Sequence, residues 1–392
     1  MINLIRSFIQ VIIGITILVS IQSCEEVPTD IGSGFISPDD TLNVKVLDSE
    51  TDTIPLLATQ YKKAFSNFIS PFILIGKTAG VESSGLLRFN NLPSTYQGVT
   101  VNSAKLFLKY VNYYYTDSAG TLDFNIYKLT QDFSFASVTR DSINSGSYNP
   151  APVGNYSGTP VDSVTISINL DNNMVKDWLE FAADPNYHEP NYGMIFIPNS
   201  ASTTIKGFGS TNANTIETPY VEIALTLNGQ NDTITLNTTE SNFITDGDIS
   251  SLPSDRITLQ SGVSIQNFFR FNLSKLPSNV IVNEARLEMY LDTTSSYYFS
   301  VSEKRIVANL ITDSTTLEDT LSIINSEIQG NKYILQFNPF VQFWANGTFE
   351  NKGIALSTLS KRLNIDKFVF YSPTYSDVSK RPRLRITYTI RN

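Results

Sequence analysis

The chain writes much of itself twice, in the same order. "VNSAKL" (Val101–Leu106) returns as "VNEARL" (Val282–Leu287). Outward from that echo, "DDTLNV" (Asp39–Val44) matches "NDTITL" (Asn231–Leu236), and "GLLRFNNLP" (Gly85–Pro93) matches "NFFRFNLSKLP" (Asn267–Pro277). The two tryptophans, Trp178 and Trp344, fall at equivalent places, followed by "NYG" (Asn191–Gly193) and "NKG" (Asn351–Gly353). "TPYVEIALTL" (Thr218–Leu227) and "RPRLRITYTI" (Arg381–Ile390) close the two halves. Blocks repeated in one order require two copies of one structural unit. The expected division is a first domain at 41–228 and a second at 229–392, with Asn228–Asn231 as a short join.

The blocks alternate with period two: Leu106, Leu108, Tyr110; Val221, Ile223, Leu225, Leu227; Leu384, Ile386, Tyr388, Ile390. Such strands put one face on a core and the other in water. Turns rich in Asn, Ser and Gly separate them, as in residues 142–158. The 19 tyrosines and 24 phenylalanines suit strands as well. The expected fold class is all-β: two tandem antiparallel β-sandwich (jelly-roll) domains. Met174, Val175, Trp178 and Phe181 have helical spacing and predict one short helix per half, closing an end of each sandwich, with both tryptophans in the core.

The order "LRFN.LP", "V..AKL.L", a tryptophan segment, "NYG" and "RP.L.ITY" resembles the DNRLRE-type jelly-roll modules, a carbohydrate-binding-module-like family. The second half matches best, at Phe269-Arg270-Phe271, Ala285-Arg286-Leu287, Trp344, Gly353 and Arg381 to Tyr388. The first half departs where Thr218-Pro219-Tyr220 replaces Arg-Pro. The opening "CEEVPTDIGSGFISPDDTLNV" is similar to Bacteroidota lipoproteins of the DUF4270 family. These resemblances imply a β-sandwich protein of the bacterial envelope.

The N-terminus supports that placement. Arg6 precedes an apolar run from Phe8 to Val19, shorter than the roughly 20 residues of a bilayer span but right for a signal peptide. It ends at Gln22-Ser23-Cys24, similar to a lipobox. Residues 1–23 are therefore expected to be a signal peptide, Cys24 the lipidation site, and 24–40 a lipidated tether. Glu25 and Glu26 resemble an export signal to the cell exterior. The expected localisation is the outer membrane, anchored by acyl chains and facing outward.

Counting residues excludes several chemistries. One cysteine and one histidine (His188) rule out an intrachain disulfide and a Cys/His zinc site. A formal charge of -9, with no basic stripe, argues against nucleic acid. Asp177, Glu180, Asp184 and Glu189 gather around His188, but the second half offers only Gln342, Phe343 and Asn346 there, so the cluster reads as a solvated helix end. Asp246 and Asp248, like Asp39 and Asp40, read as turn residues rather than calcium ligands. No catalytic residue, metal or cofactor is expected. Arg88 and Arg270 hold the same place in the two halves and read as structural, at an edge or paired with an acid.

Tyrosine runs follow the echoed strand in both halves. A pyranose has an apolar face that can lie on an aromatic ring. Tyr113, Tyr114, Tyr115, Tyr297 and Tyr298 are therefore the candidate ligand-binding residues. The expected function is a tandem non-catalytic binding module for polysaccharide or cell-wall glycan. The alternative is an interaction subunit docked on another envelope protein, and the third reading is a glycan-degrading enzyme.

Overall fold

The echoed segments lie on two equivalent strands, Thr100–Tyr115 and Val280–Tyr290. Each is the centre of one sheet of a two-sheet antiparallel sandwich. The computed structural model describes residues 43–390, apart from 53, 79, 185, 187–189, 249–251, 300, 301 and 314–322. The signal peptide, Cys24 and the tether lie outside the described residues, as do His188 and Glu189.

In the first sandwich, Thr100–Tyr115 is flanked by Thr165–Asn169 and Tyr220–Leu227, with Gln230–Asn237 beyond the latter. The facing sheet runs Glu240–Gly247, Val81–Arg88, Met194–Pro198, Leu122–Leu129, Tyr148–Gly158. In the second sandwich, Val280–Tyr290 lies between Arg383–Ile390 and Lys332–Gln336, with Val44–Asp48 outside Arg383–Ile390. Its facing sheet runs Leu56–Lys62, Ile265–Phe271, Ile354–Thr358, Ile306–Leu310, Ile323–Asn325.

The fold is therefore all-β, as the alternation requires, but the strands do not stay in the halves that encode them. The first two strands of each repeat cross over. Val44–Asp48 and Leu56–Lys62 complete the second sandwich, while Gln230–Asn237 and Glu240–Gly247 complete the first. The sandwiches thus comprise residues 72–247, and residues 44–62 with 256–390, in place of the expected 41–228 and 229–392. The described residues from Val46 onward form one compact unit. The physical reason sits at the expected join. Asn228 and Gly229 both have positive φ, 52° and 78°, so "NG" makes a two-residue hairpin that pairs Leu227 with Gln230.

Each sandwich closes over its own core. The first buries Leu106, Leu108, Ile223 and Leu225 against Ile73, Leu87, Phe124 and Phe196, and takes in Leu236 from the crossed strand. The second buries Leu287, Met289, Leu384 and Ile386 against Phe269, Phe271, Leu356 and Phe370, and takes in Leu47 and Ile54. Each such side chain contributes roughly 1.5–3 kcal/mol of transfer free energy.

The expected helices form at Asn172–Ala183 and Asn338–Ala345. Asp171 caps the first, accepting from Asn173 N at 2.7 Å and Met174 N at 3.0 Å. Its buried face is Met174, Val175, Trp178 and Leu179. Phe181 is only half-buried. Trp178 stacks on Phe89, and Trp344 packs on Phe340.

Candidate functional site

The tyrosine platform expected from the sequence is not formed by Tyr113 and Tyr115, which are buried. The strand Thr100–Tyr115 bulges within the run. Asn112 takes φ 60°, and the pairing with Ile205–Gly209 shifts between Gly207 and Phe208. Before this bulge Leu106, Leu108 and Tyr110 face the first core. After it, Tyr113 and Tyr115 face a seam against the second sandwich, packed among Phe243, Val263, Ile265 and Ile365. Their hydroxyls are used there: Ile365 N donates to Tyr113 Oη at 3.2 Å, and Gln260 Nε2 donates to Tyr115 Oη at 3.2 Å. Burial pushes both phenols up.

The other three tyrosines sit at or near the same seam. Tyr297 Oη donates to Tyr114 O at 3.1 Å, and its ring meets Tyr115 edge-on at 4.5 Å. Tyr114 meets Phe299 edge-on, and Tyr298 stacks on Phe368 with Lys304 Nζ 4.5 Å above its ring. All three are half-buried. Tyr113, Tyr114, Tyr115 and Tyr297 join the two sandwiches, Tyr298 packs on the core of the second, and the five rings present no continuous stacking surface.

The acids around the first helix are also engaged. Asp177 lies 3.9 Å from Lys128 Nζ, Glu180 accepts from Gly98 N at 3.0 Å, and Asp184 from Asn186 N at 2.9 Å. Asp246 pairs with Lys62 at 2.8 Å and lies 3.7 Å from Arg140.

A cleft of about 650 Å³ opens instead on the second sandwich. Ser49, Glu50, Ile54, Pro55 and Leu56 of the crossed segment form one wall; Glu288, Tyr290 and Lys332 form the floor; Pro373, Thr374, Ser379, Arg381 and Arg383 form the other wall. Its charged side chains other than Arg381 are fixed in ion pairs. Arg383 reaches Asp48 at 2.6 Å and Glu50 at 2.9 Å. Glu288 takes Arg286 at 2.5 Å and Lys332 at 2.9 Å. Burial pushes Glu288 up, but the hydrogen bonds from Arg286 and Lys332 outweigh it and hold the carboxyl below the usual range. Lys332 Nζ also lies 5.3 Å from the Tyr290 ring centroid. The cleft thus offers carboxylate oxygens, cationic donors, hydroxyls and one half-buried ring within one concavity. Sequence reasoning missed it because half its wall comes from a segment assigned to the other domain. The signal that could have found it was "NG" between two alternating runs, the strongest short-range mark of a hairpin.

Compared with known protein families, curated proteins and solved structures, the chain matches none.

Proposed function

We propose that the protein is a lipid-anchored outer-membrane protein, facing the exterior, whose body binds polysaccharide or cell-wall glycan without cleaving it. The observation that carries this reading is the 650 Å³ cleft, where Tyr290 lies beside paired acids, cations and hydroxyls. Glycans are bound by such mixtures: a ring for the apolar face of the sugar, and side chains that both donate and accept for its hydroxyls. The non-catalytic part rests on protonation. A glycosidase needs a carboxyl held protonated as general acid, whereas Arg286 and Lys332 hold the Glu288 carboxyl below its usual range and so ionised. The membrane anchor rests on Cys24 and the residues before it.

The test is retention of a soluble 25–392 body on immobilised polysaccharides. Tyr290→Ala should lower retention about 5- to 10-fold, the loss of one ring contact of about 1 kcal/mol or slightly more. Unchanged retention would move the site elsewhere, and no retention on any polymer would remove the glycan reading. Incorporation of a labelled fatty acid, abolished by Cys24→Ser, tests the anchor.

A second reading, docking on an envelope protein, is favoured by one surface. The edge strands Ile323–Asn325 and Glu327–Gln329 expose Ile323 and Ile328, at 59% and 40%. Crosslinking in intact envelopes should recover a partner through these strands if this reading holds.

A further inference from the structure

The two halves carry the same arginine on a strand held in the same way, and among the described residues only the first copy is neutralised. In each half an Asn-x-Gly segment lies across the strand that bears the arginine. Asn191 Nδ2 donates to Phe89 O at 2.6 Å, and Asn351 Nδ2 to Phe271 O at 2.8 Å. The glycines have φ 98° and 97°, and an added Cβ would meet Leu87 O at 2.6 Å or Phe269 O at 2.5 Å. Arg88 and Arg270 therefore sit on equivalent backbone.

Their surroundings differ. Arg88 is buried, bound to Asp132 at 2.7 Å and Glu240 at 3.3 Å, with Nε donating to Tyr192 O at 3.1 Å and the guanidinium on the Phe135 ring. Its cross-strand neighbour is Glu240. Arg270 is exposed, and its cross-strand neighbour is Leu57. Its side chain has no ion pair or hydrogen bond among the described residues.

Arg270 lines a pocket of about 350 Å³ with Pro55, Leu57, Asn272, Leu273 and Asn351. Asn351 Oδ1 has no hydrogen-bond partner, whereas the equivalent Asn191 Oδ1 accepts from Gly193 N at 3.0 Å. Leu57, 56% exposed, gives the pocket an apolar rim.

We infer that this pocket binds a carboxylate, with Arg270 as the planar two-pronged donor that carboxylates fit. Resting on the reading that the body binds polysaccharide, the ligand class is a carboxylated sugar such as a uronate. The carboxylate takes the position that the Glu240 side chain takes on Arg88, and the ring lies against Leu57 and Leu273. A protein of charge -9 gives a polyanion no general attraction, so recognition is local to this guanidinium.

The test uses the full soluble body and glucuronate, read on the side-chain Nε–Hε resonance that Arg270→Gln removes. The expected result is a saturable shift with glucuronate and none with glucose. Leu57→Glu, which supplies the acid that Arg88 already has, should weaken glucuronate at least 10-fold with an unchanged melting temperature. No saturable shift, or an equal one in Leu57→Glu, overturns the site. An Asp-rich peptide that shifts the resonance as strongly as glucuronate overturns the sugar class. A body that binds neutral polysaccharide but shows no shift loses this inference and keeps the glycan reading.

Discussion

Arg383 and Asp48 are 335 residues apart in the chain and form a two-pronged ion pair, Nη2 to Oδ2 at 2.6 Å and Nε to Oδ1 at 2.9 Å. The pair fastens the first strand to the last one. Beside it, Ser49 N donates to Leu384 O, and Leu384 N donates to Ser49 Oγ. Burial pushes Asp48 up, but the hydrogen bonds from Arg383 and Glu50 N prevail, and the carboxyl titrates below its usual range.

Arg383→Ala should lower stability by about 1–2 kcal/mol at pH 7, because Asp48 loses a charge-assisted partner while Arg383 is partly exposed. Asp48 has a lowered folded pKa, so its contribution is present above the ordinary carboxylate pKa and is lost as pH falls. The gap between wild type and variant in urea melts should therefore narrow as pH falls below about 4.

Tyr113→Ala should cost about 3–5 kcal/mol, since a fully buried ring leaves a cavity in the seam. Tyr113→Phe should cost about 1–2 kcal/mol, for the hydrogen bond from Ile365 N alone. Polysaccharide retention by the folded Tyr113→Phe variant should match wild type; a loss of retention with full stability would return this residue to a binding role.

Asp366 is buried, accepting from Phe299 N at 3.1 Å and Asn364 Nδ2 at 2.9 Å. Burial pushes its carboxyl up to about 6. The folded state then binds the proton more tightly than the unfolded chain, so this group subtracts stability as pH rises from about 4 to about 6. The stability of wild type relative to Asp366→Asn should fall by up to about 3 kcal/mol across that window and stay level above it. A flat difference curve would contradict it.

Gly353→Ala should destabilise by about 2–4 kcal/mol in thermal melts. The residue combines a left-handed φ with a Cβ position 2.5 Å from Phe269 O. Gly193→Ala should behave alike, at 2.6 Å from Leu87 O.

The sandwiches were legible because alternation is a local property of Leu106–Tyr110 and Leu384–Ile390, and the ordered repeat gave their number. The pairing of edge strands was not. Val44–Asp48 and Gln230–Asn237 come from matching segments, and either could satisfy the open edge of either sheet. Only the Asn228-Gly229 turn, which folds Gln230–Asn237 back on Tyr220–Leu227, decides between them. The tyrosine run misled for a related reason. Tyr113 and Tyr115 lie on the strand face opposite Leu106, Leu108 and Tyr110, and that face is covered by Val263, Ile265 and Ile365 of the second sandwich instead of by solvent. The cleft and the Arg270 pocket were hidden because both need the crossed segment, through Ser49–Leu56 and Leu57.

The exchange of strands between the halves is the centre of this account, and cysteine pairs test it most directly. In a Cys24→Ser background, Leu57→Cys with Arg270→Cys places two thiols on directly opposed, exposed positions of antiparallel strands, about 5 Å apart at Cβ. Leu57→Cys with Arg88→Cys is the pair that would meet if each half kept its own first strands. The account predicts an intrachain disulfide in the monomer for the 57/270 pair and free thiols for the 57/88 pair; the reverse result would contradict it.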